Sequence, residues 1–257
     1  MQPAQVYVNA WAAVKKLVGK CFEHGIGVLL DMHAAPGGAN SDSHSGTSSG
    51  KAELWGSEFN LNLLTRCLCF VAQEVIDSDM KGVVGIELIN EARWDPPGMY
   101  KFYDEALMKI AAIDHTLPIY ISDGWNLSRA LKYALSKNNV KREALNPVIV
   151  DTHKYYTFAE KHTSCSPEEL IGKVSTELTQ LDGSSGNVFD NQGRHHAAIL
   201  WRTATDLGSR GFGCFHRGIQ LHAFTSDMEQ GLRRRAPRAN QAIRTSSKCK
   251  MAVESMR

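Results

Sequence analysis

Val83-Val84-Gly85-Ile86-Glu87-Leu88-Ile89-Asn90-Glu91 is the stretch that decides the fold. Two valines, two isoleucines and a leucine around Gly85 make a short apolar, partly β-branched run. That is the pattern of a strand buried on both faces in a parallel sheet. Glu87 interrupts it, so its carboxylate needs a buried partner or access to water. The run stops at Asn90 and Glu91, just before a loop carrying Pro96 and Pro97. An amide and a carboxylate at the end of an apolar strand sit where open and barrel α/β folds put their chemistry. Glu91 is therefore the candidate proton donor.

Three other strand-like runs end in the same manner. Ile26 to Asp31 leads to His33, Pro118 to Ser122 leads to Asp123, and Pro147 to Asp151 leads to His153 and Tyr155. If these strands are parallel neighbours, their polar ends converge. Helical spacing fills the gaps between them. Tyr7, Trp11, Val14, Val18, Cys21 and Phe22 predict an opening helix that Gly25 ends, and a second helix runs from about Phe59 to Val75 with Leu64, Cys67, Leu68, Val71 and Val75 inward. Pro97 is expected to start a third, with Tyr100, Tyr103, Leu107 and Ile110 buried, and Leu127 to Leu135 forms a fourth. Ser166-Pro167-Glu168-Glu169 reads as a capping box, with Ile171, Val174, Leu178 and Leu181 carrying that helix to Gly183. Alternation of strand and helix from 26 to 183 argues for right-handed βαβ units and one parallel sheet. The loop from His33 to Gly56, rich in Gly and Ser, is long enough to be functional or disordered.

Length permits one large α/β domain, since the chain has 257 residues. Its formal net charge is only +2, but residues 1–191 hold 17 Lys+Arg against 23 Asp+Glu, whereas 192–257 hold 12 against 4. The cations change kind as well, from mostly Lys to mostly Arg. Beyond residue 191 the periodicity fails and no strand of the earlier quality is expected. A disordered basic tail that touches nucleic acid or acidic surfaces is one account; an altered reading frame or mis-joined exon is the more economical one. The chain thus divides into a 1–191 barrel-type domain and an irregular basic 192–257 segment. Six cysteines, at 21, 67, 69, 165, 214 and 249, show no CxxC pair. Cys21 and Cys67 read as core thiols. No apolar run reaches the roughly 18 residues of a membrane span, and no signal-peptide layout is visible at the start.

Three separated motifs now resemble a known family. They are Asp31-Met32-His33-Ala34-Ala35-Pro36-Gly37-Gly38-Ala39-Asn40 followed by His44-Ser45-Gly46, then Leu88-Ile89-Asn90-Glu91, then Asp151-Thr152-His153-Lys154-Tyr155. Their order resembles the family 5 retaining glycoside hydrolases of the fungal exo-β-1,3-glucanase (glucan 1,3-β-glucosidase) type, over about residues 5 to 190. The resemblance implies a (β/α)8 TIM barrel, here a partial one with about four βα units, the third to the sixth. It makes Glu91 the catalytic acid/base, has Asn90 hold the sugar 2-hydroxyl and His33 contact sugar, and puts His153 and Tyr155 beside the nucleophile. β-Glucan or an oligosaccharide is the implied substrate, with a secreted or cell-wall location. Cofactor, metal, nucleic acid and membrane are not expected.

Two departures stand against that pattern. The family's first two strands lie upstream of what matches the first helix here. Its nucleophile is a Glu in a Gly-Glu-Trp-like run after the seventh strand, whereas this chain reads Asn191-Gln192-Gly193-Arg194-His195 near that place. Neither Glu229 nor Glu254 follows a strand-like run. A retaining enzyme needs a second carboxylate about 5 Å from the first, so impaired hydrolysis is expected. A four-stranded open sheet is further expected to leave aggregation-prone edges.

The rivals are a P-loop at Gly46 to Lys51, which is one residue short and has Ala52 in place of the metal-binding hydroxyl, and a metal site joining Asp31, His33 and His153. The rival from another class is a non-catalytic carbohydrate-binding remnant. It would use Trp55, Trp94, Trp125, Tyr155 and Tyr156 as stacking faces.

Overall fold

The computed structural model describes residues 3–138, 146–155, 164–166, 168–173 and 198–204. Helix α1 (Pro3–Glu23) opens the chain, with Val18 buried and Trp11 and Val14 packed against the core as their spacing predicts. Gly25 stops it at φ 72°. Its N–H donates to Phe22 O at 2.9 Å while Ile26 N–H donates to Cys21 O at 2.8 Å. This is the paired-bond helix stop in which a left-handed residue, best supplied by glycine, turns the chain out.

Strand and helix then alternate: β1 (Val28–Asp31), α2 (Glu58–Asp77), β2 (Val83–Glu87), α3 (Met99–Asp114), β3 (Ile119–Ser122), α4 (Leu127–Lys137) and β4 (Val148–Tyr155). Ser57 caps α2 by accepting from Asn60 N–H at 3.2 Å, and Asn126 caps α4. Ser166 and Glu169 form the reciprocal capping box: Ser166 N–H donates to Glu169 Oε2 at 2.8 Å and Glu169 N–H to Ser166 Oγ at 3.2 Å. Residues 168–173 are helical; Val174, Leu178, Leu181 and Gly183 lie outside the described residues.

Several expectations need correction. Helix α3 starts at Met99, not Pro97, because Gly98 holds a left-handed φ of 84° at the cap position and no helix runs through such a residue. Cys67 is exposed and Cys21 only half-buried. The inward stripe of α2 runs through Leu64, Leu68, Ala72 and Val75, and Cys67 stands one residue, about 100°, away from it. Ile171 is 66% exposed rather than inward. Strand β4 extends to Tyr155, so His153 and Tyr155 stand on the strand and not after it. A fifth strand, β5 (Ala198–Ala204), lies in the segment whose periodicity predicted none.

All pairings are parallel and the order is β1-β2-β3-β4-β5. A doubly wound sheet reverses direction at a switch point. Here the order never reverses, and right-handed crossovers then place every connecting helix on the same face. This is α/β architecture wound in the manner of a partial (β/α)8 barrel. The sheet core is fully apolar at Ile86, Ile119, Ile121, Val148 and Val150. Register does the rest. Asp31 pairs with Glu87, Glu87 with Tyr120, and Ser122 with Asp151, so Asp31, Glu87, Asp151 and, two residues on, His153 share one face of the sheet.

Candidate active site

Glu91 stands four residues beyond the end of β2. The ladder continues past β2, with Leu88 N–H donating to Tyr120 O at 3.0 Å and Asn90 N–H to Met32 O at 3.2 Å. Glu91 then takes φ +36°, a left-handed conformation that costs a non-glycine residue on the order of 1–3 kcal/mol. Three tethers hold it there. Asn40 Nδ2 donates to Glu91 O at 2.8 Å, Ala92 N–H donates to Ser122 Oγ at 3.3 Å, and Arg93 N–H donates to Ala39 O at 2.9 Å. The surroundings over-determine a strained backbone, which is how catalytic residues are commonly held.

The carboxylate side chain is 11% exposed. Oε1 receives His153 Nδ1 at 2.5 Å and the Tyr155 hydroxyl. Oε2 faces His44 Nε2 at 3.8 Å. On its far side His153 turns Nε2 toward Asp151 Oδ2 at 3.5 Å, so one imidazole lies between two carboxylates. Glu87, fully buried, joins them: one ligand-type atom each from Glu87, Asp151 and His153 lie within 4.8 Å of one another. Buried carboxylates this close repel unless protons or a cation intervene. Glu87 in mid-strand thus lies beside two other ionisable groups, and these three are the described residues whose donor types could hold a cation. Asp31 and His33 instead pair with each other at 2.9 Å.

Asn90 is 2% exposed, and its Oδ1 is buried without a hydrogen-bond partner. His33 remains half exposed, its ring 5.4 Å from that of His44. Glu91, His153 and Tyr155 are thus in direct contact, Asn90 precedes Glu91 in the chain, and His33 meets the site through the His44 ring.

Comparisons with known proteins find relatives named as glycosyl hydrolases. "Glucan 1,3-beta-glucosidase 3" of Schizosaccharomyces pombe is 30% identical over 177 residues, covering 67% of this chain and 35% of that protein. An uncharacterized glycosyl hydrolase of Saccharomyces cerevisiae is 29% identical over 163 residues, 63% of this chain and 32% of its own. The chain is a relative of fungal glycosyl hydrolases. "Glucan 1,3-beta-glucosidase" of Blumeria graminis is a further relative, 29% identical over 185 residues, 70% of this chain and 41% of that one. The chain spans between about a third and two fifths of the length of these hydrolases. No protein-family model matches it.

The remaining candidates of this hydrolase relative separate by burial. Trp55 is only 9% exposed and donates through Nε1 to Ala39 O at 2.8 Å, so it anchors the long loop and offers no stacking face. Trp125 is 43% exposed, with its ring 6.1 Å from that of Tyr155; Trp94 is 71% exposed. Tyr156 lies outside the described residues, as do Arg194, His195, Glu229 and Glu254. Asp123 accepts from Thr152 Oγ1 at 2.7 Å and from Trp125 N–H at 2.8 Å, a structural role. The P-loop reading fails on geometry. Thr47 Oγ1 accepts from both Ser49 N–H and Lys51 N–H, which removes two of the donors a phosphate would need.

Sequence reasoning missed Asn40, His44 and the Glu87–Asp151 layer as parts of the site. The first two sit inside quoted motifs, but only the fold shows that they reach Glu91. No helix among the described residues is long and apolar enough to cross a membrane.

Proposed function

We propose that the chain carries the acid/base side of a family 5 type retaining glycoside hydrolase site acting on β-1,3-glucan or a related β-glucoside, outside the cell or in its wall. The observation that carries it is Glu91: strained at φ +36°, at the carboxyl rim of a parallel sheet, its one oxygen gripped by His153 and Tyr155. In this reading Glu91 gives a proton to the departing glycosidic oxygen, a step worth about 10²–10⁴ in rate. His153 and Tyr155 fix Oε1, which aims Oε2 at the leaving group. Asn90, with its buried Oδ1 unpartnered, takes a sugar hydroxyl, and His33 contacts the ring. The relatives named glucan 1,3-beta-glucosidase support the substrate class.

Double displacement also needs an attacking carboxylate about 5 Å away, and the run Asn191 to His195 offers none where the family resemblance expects it. The proposal is accordingly a site that binds β-glucosides and turns them over poorly. The second reading, a carbohydrate-binding remnant, is favoured by the half-exposed Trp125 beside Tyr155.

The test uses the purified 257-residue chain with laminaribiose and an aryl β-glucoside. Saccharide binding with little glucose release is expected. Azide at high concentration should raise release from the aryl glucoside by replacing the missing attacking group, giving the inverted α-glucosyl azide, and Glu91→Gln should lower what turnover remains by about 10² or more for a poor leaving group. Rapid glucose release from β-1,3-glucan refutes the impairment. Binding without azide-stimulated turnover favours the remnant, and absence of all saccharide binding refutes both readings.

A further inference from the structure

We propose that His44 is a specificity-determining contact for the leaving-group sugar, a role that rests on the acid/base reading of Glu91. Tyr155 and His153 occupy Glu91 Oε1, so Oε2 is the oxygen left to meet the glycosidic oxygen. His44 Nε2 lies 3.8 Å from Oε2. That spacing is too long for a hydrogen bond, so with the glycosidic oxygen on Oε2 the imidazole stands within reach of a hydroxyl next to the linkage on the leaving ring. Whatever binds Oε2 as the departing oxygen therefore brings its own ring against the His44 imidazole.

The loop places His44 firmly. Ser43–Ser45 is a 3₁₀ turn in which Ser45, 1% exposed, donates through Oγ to Asn40 O at 2.9 Å and accepts at its carbonyl from Ala35 N–H at 2.9 Å. Gly46 follows at φ 91°, and a Cβ there would lie 2.5 Å from Ala35 O, so the turn sits directly on the Ala35 backbone. Asn40 in turn bonds the Glu91 carbonyl. Imidazole and carboxylate are consequently carried by one tied unit rather than by two independent loops. The His33 ring lies 5.4 Å away, tilted by 59°, and is itself bonded to Asp31. Among the described residues, the charged and ring groups facing the imidazole are Glu91 at 3.8 Å, Asp42 at 4.0 Å and the His33 ring, and the His44 side chain is 36% exposed.

The ligand class is a β-linked glucosyl leaving group with a free hydroxyl next to the linkage. Affinities for laminaribiose and for methyl β-glucoside, which lacks the second ring, are measured by calorimetry on the native chain and on His44→Ala and His44→Gln. The alanine variant is expected to weaken laminaribiose about tenfold, one hydrogen bond's worth, while methyl β-glucoside changes less than about twofold; glutamine, which keeps a donor at similar reach, should recover most of the loss. Unchanged laminaribiose affinity in His44→Ala, or an equal loss for both ligands, overturns the assignment while leaving the acid/base reading of Glu91 intact. If the native chain binds neither ligand, the proposed function falls and this inference falls with it.

Discussion

Gly85 sits in mid-β2 for a steric reason, and adding a single methyl there tests the packing beneath the site. A Cβ on Gly85 would run into the Tyr120 ring at Cε2, lie 2.9 Å from Tyr120 Cδ2, and lie 2.7 Å from the Pro118 carbonyl oxygen. Tyr120 is 2% exposed and pairs with Glu87 in register, so its ring cannot swing into solvent. Overpacking of this kind costs about 1–3 kcal/mol. The Pro118 oxygen is backbone and accepts from Ile86 N–H at 3.0 Å; moving it by the several tenths of an ångström that contact demands weakens that bond, worth about 0.5–1.5 kcal/mol. Gly85→Ala is expected to cost about 3 kcal/mol in urea unfolding, a large share of the 5–15 kcal/mol typical of a domain. The ring and carbonyl contributions separate in a double-mutant cycle. Gly85→Ala with Tyr120→Ala should fall short of additivity by about 1 kcal/mol or more, because the ring is no longer there to be struck. A Gly85→Ala variant within about 0.5 kcal/mol of the parent, or a cycle that adds, would show that strands β2 and β3 are not this close.

Tyr100, Tyr103 and Tyr133 pack as a cluster with centroids 4.9–6.0 Å apart. Burial, helped by the negative charge of Asp95, pushes the Tyr100 hydroxyl up to about 12. Burial likewise drives Tyr103 well up, and burial with the hydrogen bond to Asp104 raises Tyr133. A phenol whose folded value is raised contributes stability that is intact below its unfolded value, about 10, and is lost as pH climbs toward the folded one. Unfolding between about pH 10 and 12 is therefore expected, with the tyrosinate absorbance of Tyr103 and Tyr133 appearing together with loss of far-ultraviolet ellipticity; full tyrosine ionisation in a chain that keeps its ellipticity contradicts this. Cys67, being exposed on α2, should react rapidly with a disulfide reagent in the native state. Cys67→Ser should remove one fast equivalent, and an unchanged fast phase would put Cys67 back in the core.

What could be read from the sequence was what depends on local pattern. The buried strands β2 and β3 announce themselves because a strand covered on both faces must be apolar along its length. The Gly25 stop and the Ser166 capping box were legible because each satisfies backbone groups from within a few residues. The misreadings involve distant partners. Strand β4 reaches Tyr155 because β5 pairs alongside it as far as Ala204, and nothing in Thr152-His153-Lys154-Tyr155 by itself demands a strand. Pro97 looked like a helix start, yet the left-handed Gly98 after it decides the boundary. Trp55 could be a sugar platform or an anchor on type alone; its bond to Ala39 chooses the anchor.

That anchor bears directly on Glu91. Ala39 O receives the Trp55 indole, and it also receives Arg93 N–H, two residues beyond Glu91. Asn40, the next residue, holds the Glu91 carbonyl and, through its own carbonyl, the Ser45 hydroxyl beneath His44. The long Gly- and Ser-rich loop is thus a folded clamp whose apolar residues Ala35, Ala39 and Leu54 are buried. Its order is what keeps Glu91 at φ +36°. A left-handed glutamate has no local reason to stay so, and releasing the clamp would let it relax by about the 1–3 kcal/mol of strain it carries. The Glu91 backbone is held by a strand that ends before it and a loop that reaches back to catch it, so the loop residues that tether it stand some fifty positions away in the chain.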